Sequence, residues 1–239
     1  MSAAETGGGV FGVLAAMPEE LGTLFSIAAR RRSNALDRVR IEIREGEIGS
    51  QRVLACVGGV GKVLAARAAA ILIAEGATRG LLVVGTCGGL RQNLRPGTFL
   101  HCTTAIQADS AQSRSREVAA DPALREAWRA VAPGPEGFFL TADRPVLSLF
   151  RRIRLARAFA GPCAADMETA AAGAVAREAG VPWASLRTVT DRASGMAGTA
   201  FRLNYPTLAG RASDTLVALI EEIDLRERRQ TSHRAVSSP

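Results

Sequence analysis

Gly12-Val-Leu-Ala-Ala-Met-Pro-Glu-Glu-Leu-Gly-Thr-Leu24 decides how this 239-residue chain is read, because an unbroken apolar run passes directly into a proline and two glutamates. A short continuous apolar run reads as a strand buried on both faces. Proline is tolerated at the first helical position, where its missing N–H has no intrahelical partner anyway. The spacing therefore predicts a strand from Val10 to Ala16 and a helix from Glu19 to Ala29, with Leu21, Leu24, Phe25 and Ala28 on its apolar side. A carboxylate at that junction stands at the C-terminal edge of a strand, where α/β sheets receive their ligands.

Working outward, Val39 to Arg44 alternates apolar and charged residues, Glu45 to Ser50 supplies a turn, and Arg52 to Val57 returns as a more buried strand. That is a hairpin, so the sheet is expected to be mixed. Gly58-Gly-Val-Gly61 leads into an alanine-rich helix from Lys62 to Glu75, Gly76 stops it, and Leu81 to Val84 follows as another buried strand. The same order recurs less clearly through Thr98–Ile106, Pro122–Val131, Gly137–Leu140 and Val146–Phe159. It is plain again in the last third: Ala164 leads to Asp166-Met-Glu168, a helix runs to Gly180, and Trp183 to Val189 is a strand ending at Thr190-Asp191. Thr207 to Ile223 is expected to be a final amphipathic helix. Alternation of this kind implies a single three-layer α/β/α domain with a central mixed sheet over residues 10–225, with 1–9 and 226–239 as unstructured tails.

With 47% hydrophobic residues, the chain can build one large core. The net charge of +7 raises nucleic acid as a partner. However, Lys62 is the only lysine, the arginines are scattered, and one tyrosine with eight phenylalanines gives little aromatic surface to interleave with them. No nucleic-acid partner is expected. Cys56, Cys87, Cys102 and Cys163 are dispersed without a Cys-x-x-Cys pair, so they read as buried free thiols, and no metal is expected. Met1 to Gly9 lacks a basic segment followed by an apolar one, and no apolar stretch reaches membrane-helix length. The expectation is a cytoplasmic protein without membrane insertion.

Several residues carry possible chemistry. Gly58-Gly-Val-Gly-Lys62 lacks the residues of a P-loop or a dinucleotide fingerprint, leaving either a tight turn or a close ligand approach. Gly85-Thr-Cys-Gly-Gly89 exposes backbone N–H groups beside the Thr86 hydroxyl, suited to an anion or a polarised water, though a threonine-capped turn also fits. Glu19, Glu20, Glu168 and Asp191 can each be explained singly as helix-start or turn carboxylates. Taken together, all sit at the ends of strands that a parallel sheet would bring to one edge, which points to a small-molecule enzyme.

Ala16-Met-Pro-Glu-Glu20, Gly59-Val-Gly-Lys62, Gly85-Thr-Cys-Gly-Gly-Leu90, Asp166-Met-Glu-Thr-Ala170 and Arg187-Thr-Val-Thr-Asp191 resemble, in order and spacing, the purine nucleoside phosphorylase and nucleosidase superfamily. The resemblance is closest to methylthioadenosine/S-adenosylhomocysteine nucleosidases and covers residues 10 to 223. It implies a nucleoside phosphorylase-like fold and hydrolysis of the N-glycosidic bond of an adenine or related nucleoside with a modified 5′ group. The alternatives are a phosphate-dependent phosphorylase, including one acting on an adenosyl-lipid (hopanoid) precursor, and an inactive nucleoside-binding protein. It also implies a homo-oligomer, with a dimer favoured, and no cofactor beyond water, or phosphate in a phosphorylase.

Carried over residue by residue, the resemblance makes Asp191 the proton donor to the purine and Glu20 the base that activates water. Glu168 would accept hydrogen bonds from the ribose hydroxyls and Met167 would lie against the sugar. Thr86 and Gly88 would hold the water or phosphate, and Val146 and Thr190 would complete the pocket. The phosphate-binding arginine of some phosphorylases has no counterpart near the first strand, where Pro18-Glu19-Glu20 stands instead. In Thr141-Ala-Asp-Arg-Pro-Val146, Pro145 occupies the place of the family's stacking aromatic, so that either Phe138 or Phe139 is the expected substitute or the substrate differs from methylthioadenosine. Thr190 and Arg192 also depart from the commonest pattern, so the identity of the purine stays open.

Overall fold

The computed structural model describes residues 9–22, 30–36, 39–49, 51–110, 117–193 and 195–236. The chain begins with β1 (Phe11–Ala15), a 3-10 turn (Pro18–Leu21), β2 (Arg30–Leu36), β3 (Val39–Ile48) and β4 (Gln51–Val57). It continues through α1 (Lys62–Ala74), β5 (Gly80–Gly89), β6 (Phe99–Gln107), β7 (Glu117–Ala119), α2 (Pro122–Val131) and β8 (Glu136–Thr141). The remainder is α3 (Leu149–Arg157), β9 (Cys163–Asp166), α4 (Thr169–Glu178), β10 (Trp183–Asp191), α5 (Ala197–Leu208) and α6 (Leu216–Val236).

The ten strands of the described residues form one mixed sheet in the order β10-β6-β8-β9-β5-β1-β4-β3-β2, with β7 added to β6. β1, β4, β5 and β10 pair in parallel where they touch, whereas β3 meets β4 in the expected hairpin. Because β10 also pairs with β5, strands β5, β10, β6, β8 and β9 close into a ring. β5 makes this possible through its length: Gly80 to Val83 lie beside β1, and Gly88 and Gly89 lie beside β9.

Side chains on the inner strands alternate between two helix layers, as the period of two demands. Phe11, Val13 and Ala15 of β1 pack with Trp128 of α2 and with Leu216, Leu219 and Ile220 of α6. Leu14 faces the other way, into the cluster that holds Leu72 of α1 and Ala172 and Ala176 of α4. This is the three-layer arrangement expected from the alternating elements.

Three expectations are corrected. The helix predicted for Glu19 to Ala29 is, in its described part, the short 3-10 turn Pro18–Leu21, halted by Gly22 at φ +45°; residues 23–29 lie outside the described residues. The last helix begins at Leu216, preceded by two 3-10 turns, and Ala197–Leu208 is a helix of its own that no reading of the sequence assigned. The helix also runs on to Val236, so the expected tail from Arg226 is helical over its described part. No glycine or proline interrupts Leu216 to Val236, and Arg226 reaches back to Glu222 at 2.7 Å and across to Glu126 of α2 at 3.4 Å. Of the expected tails, residues 1–8 and 237–239 lie outside the described residues.

α4 packs close to β10 because of one glycine. A Cβ at Gly173 would stand 2.8 Å from the Trp183 ring, which is itself buried. Gly173→Ala therefore gains about 1 kcal/mol of helix propensity and loses about 1–3 kcal/mol to overpacking. The expected net result is a lower Tm, read by thermal unfolding; an unchanged or raised Tm would show that the indole moves aside freely.

Candidate functional site

Strand ends from both halves of the chain converge on one cavity of about 440 Å³. Glu20, Thr86, Gly88, Val146, Met167, Glu168, Thr190 and Asp191, all eight candidate residues, line it. Glu19 does not: it is exposed on the outer side of the same turn, where it accepts a hydrogen bond from the Tyr205 hydroxyl at 3.2 Å.

The 3-10 turn after β1 aims Glu20 inward, and four donors hold it there. One carboxylate oxygen accepts from the N–H groups of Ala16 and Met17 at 3.1 and 3.2 Å. The other accepts from the Thr86 N–H at 2.9 Å and the Thr86 hydroxyl at 3.0 Å. Thr86 thus orients the carboxylate and ties the end of β1 to β5. The contact needs a glycine at Gly85, whose φ is +147° and whose Cβ would sit 2.8 Å from the Glu20 oxygen. Burial raises the Glu20 pKa above its ordinary range, against the lowering influence of Arg187 and these donors.

Glu168 stands at the position before α4, on a cavity wall, with its side chain turned away from the helix's own N–H groups. Gly61, at the entrance to α1, donates its N–H to one carboxylate oxygen at 3.0 Å, and Arg187 pairs with the other at 3.1 Å. The glycine turn Gly58 to Gly61 therefore supplies a backbone donor to the site. Arg187, from the middle of β10, also pairs with Asp166 at 3.1 Å and donates to the Thr86 carbonyl and the Thr169 hydroxyl. Asp166 is held in turn by the Thr141 hydroxyl at 2.5 Å and the Thr169 N–H at 2.9 Å. Burial raises the Glu168 pKa; Arg187 opposes the rise, and Asp166 and Glu20 add to it.

Asp191 ends β10 opposite Gly88. The Ala193 N–H donates to it at 2.7 Å and the Thr190 hydroxyl at 3.0 Å. Ala193 holds φ +44°, a left-handed conformation that a residue with a Cβ adopts at a cost, so the turn carrying this donor is strained beside the cavity. Burial raises the Asp191 pKa, and the two hydrogen bonds pull against it. No guanidinium pairs with Asp191 among the ion pairs of the described residues, which distinguishes it from Glu168. The cavity therefore holds carboxyls with heightened proton affinity beside a polar anchor, an arrangement able to donate a proton at one end and accept one at another.

Arg187, Asp166 and Phe201 are among the wall residues that the sequence did not single out. Arg187 and Asp166 stood inside recognised motifs, but nothing in their spacing revealed that a strand-interior arginine would turn into a buried carboxylate cluster. Phe201 of α5 lines the cavity and stacks on Tyr205 with ring centroids 4.7 Å apart; the i, i+4 aromatic pair was its one sequence signal. Neither Phe138 nor Phe139, the expected substitutes for a stacking aromatic, lines the cavity. Phe139 is fully buried in the core and Phe138 packs on Phe159 at 5.2 Å, whereas Pro145 and Val146 form the wall on that side.

Removing the cation tests this reading. Arg187→Met leaves Asp166, Glu168 and Glu20 without their shared counter-charge, a change that costs about 3–5 kcal/mol in buried pairs. Glu20 and Glu168 then take up protons more readily in the folded than in the unfolded chain, so the loss shrinks at low pH and grows as pH rises through their folded pKa values. The Tm deficit against the unaltered chain should be larger at pH 8 than at pH 5.

The family model described as Phosphorylase superfamily matches residues 10–221. The 5′-methylthioadenosine/S-adenosylhomocysteine nucleosidase of Actinobacillus succinogenes is 22% identical over 229 residues, covering 89% of this chain and 99% of the relative. A nucleosidase of the same name from Neisseria meningitidis, solved with methylthio-immucillin-A, superposes with a TM-score of 0.81 at 24% identity, covering 88% of this chain and 98% of that one. A futalosine hydrolase mutant of Helicobacter pylori reaches 0.82 at 20% identity, covering 90% and 100%. At such identities the superpositions speak for a shared fold. The family match extends from β1 into α6 and takes in every wall of the cavity: this chain belongs to the phosphorylase superfamily.

Proposed function

We propose that this protein is a purine nucleosidase that uses water to cleave the N-glycosidic bond of an adenine or related nucleoside carrying a modified 5′ group. The observation that carries the reading is the convergence of Glu20, Glu168 and Asp191 on one cavity, each with raised proton affinity. The names of the relatives support the same substrate class.

Cleavage of the bond from the sugar's anomeric carbon to the purine sends the bonding electron pair to the base and leaves a cationic sugar. Asp191, whose proton affinity burial raises, would donate a proton to N7 of the departing base. Glu168, fixed by Gly61 and Arg187, would accept hydrogen bonds from the ribose hydroxyls that strengthen as the sugar becomes positive. Met167 would lay its sulfur and methyl against the sugar. Glu20 would take a proton from water while the remaining hydroxyl bonds to the anomeric carbon, giving free purine and free sugar. Thr86 and Gly88 would bound the water's position, and Val146 and Thr190 the base pocket. We further propose a cytoplasmic homodimer that requires no cofactor.

Two measurements test the assignment. Purine release from 5′-modified adenine nucleosides should proceed unchanged in phosphate-free buffer; strict dependence on phosphate would convert the reading to phosphorolysis. Asp191→Asn should lower kcat by about a hundredfold or more while nucleoside affinity stays within about tenfold; wild-type turnover would remove Asp191 from the donor's role.

The pH profile adds a signed prediction. Activity needs Asp191 protonated and Glu20 ionised, so kcat/KM should be bell-shaped. The Thr190 hydroxyl stabilises the ionised form of Asp191. Thr190→Val therefore raises that pKa and should move the limb that reports Asp191 to higher pH, leaving the limb that reports Glu20 in place.

A further inference from the structure

The segment that forms the outer rim of the cavity continues into a surface of a different kind. From Arg144 to Ala165 the chain contains no Asp or Glu, and it carries Arg144, Arg151, Arg152, Arg154 and Arg157. Within it, α3 packs on the body through Ala156 and the half-buried Leu155. Its other side exposes Leu149, Phe150, Ile153, Arg154 and Arg157, which the 3.6-residue repeat gathers into one sector. Phe150 is 87% exposed and Leu149 50%. Leu147, just before the helix, is 51% exposed and also lines the cavity, so the patch is continuous with the cavity's rim.

A single exposed apolar side chain needs no explanation. Four within residues 147–153, set among arginines and without one carboxylate in the segment, specify what can cover them. A second copy of the chain meeting this patch across a twofold axis that passes through α3 would bring arginines against arginines. A nucleic acid would satisfy the guanidinium groups and leave Leu147, Leu149 and Ile153 in water. An anionic bilayer satisfies both: lipid phosphates pair with the arginines, and the phenyl and aliphatic groups enter the boundary between headgroups and acyl chains. Arginine stems of that length reach from the apolar boundary to the phosphate level.

We propose that Leu147 and α3 form a peripheral docking surface for an anionic lipid bilayer. No helix among the described residues is long and apolar enough to cross a membrane, so the attachment is interfacial and reversible. The net charge of +7 steers the protein toward such a surface. A bilayer against α3 also lies at the rim of the cavity, through Leu147 and Pro145. The inference concerns this surface alone and does not depend on the reaction assigned to the cavity.

Co-sedimentation of the full chain with lipid vesicles tests the proposal. The protein should bind vesicles of equimolar phosphatidylcholine and phosphatidylglycerol, lose most of that binding in high salt, and leave vesicles of phosphatidylcholine alone in solution. Phe150→Ser and the pair Arg154→Ser with Arg157→Ser should each weaken partition by roughly tenfold or more, with Tm unchanged as the check on folding. No binding to the anionic vesicles, binding independent of lipid charge, or undiminished binding by both variants would overturn it. So would a solution dimer that Phe150→Ser dissociates, which would assign the patch to a second copy.

Discussion

One buried guanidinium organises the cavity. Arg187 stands in a strand interior with almost no exposure and meets Asp166 and Glu168 at 3.1 Å each, with Glu20 nearby in its field. At an effective dielectric of about 20, each pair is worth about 5 kcal/mol of gross attraction, and taking the ions out of water costs several kcal/mol apiece. The near cancellation means that the cluster adds little net stability. What it does supply is position and charge balance: burial keeps proton affinity high in Glu20 and Glu168, Arg187 opposes the rise in both, and Asp166 and Glu20 add to it at Glu168.

Sheet closure sets where these groups meet. β5 is long enough to pair with β1 at its start and β9 at its end, with β10 alongside, so the ends of four strands open on one space. Each carboxyl is then fixed by backbone donors from a different element: Glu20 by Ala16, Met17 and Thr86, Glu168 by Gly61, and Asp191 by Ala193. Donors of this kind do not reorient during a reaction, which is the requirement for stabilising charge that appears only transiently. The same architecture leaves α3 attached by one buried edge, its outer face free for contacts unrelated to the core.

Much of the architecture was legible from short-range pattern. The buried runs at Val10, Leu81 and Trp183, the hairpin signal between Val39 and Val57, and the glycine stops after α1 and α4 each depend on local sterics and burial, which neighbouring residues determine. Local reasoning failed where tertiary contacts decide the outcome. Gly22 halts the turn where a longer helix was expected; α5 forms over a stretch to which no element was assigned; and α6 continues through a polar stretch in which Arg226 pairs with Glu222 of its own helix and Glu126 of α2.

By itself, the sequence determined the alternation of strands and helices, the burial of the cysteines, and the identity of three acidic residues at strand ends, since each depends on the order of neighbouring side chains. Only the tertiary structure decided that Glu20 faces the cavity while Glu19 faces solvent, that Arg187 turns inward among carboxylates, and that Phe201 rather than Phe138 or Phe139 supplies the aromatic wall. The physical reason is one of range. Propensity and periodicity act over a few residues, whereas the pairing of β5 with β1, β9 and β10, which brings residues 20, 168 and 191 to one cavity, is a long-range balance of burial and charge that no local window contains.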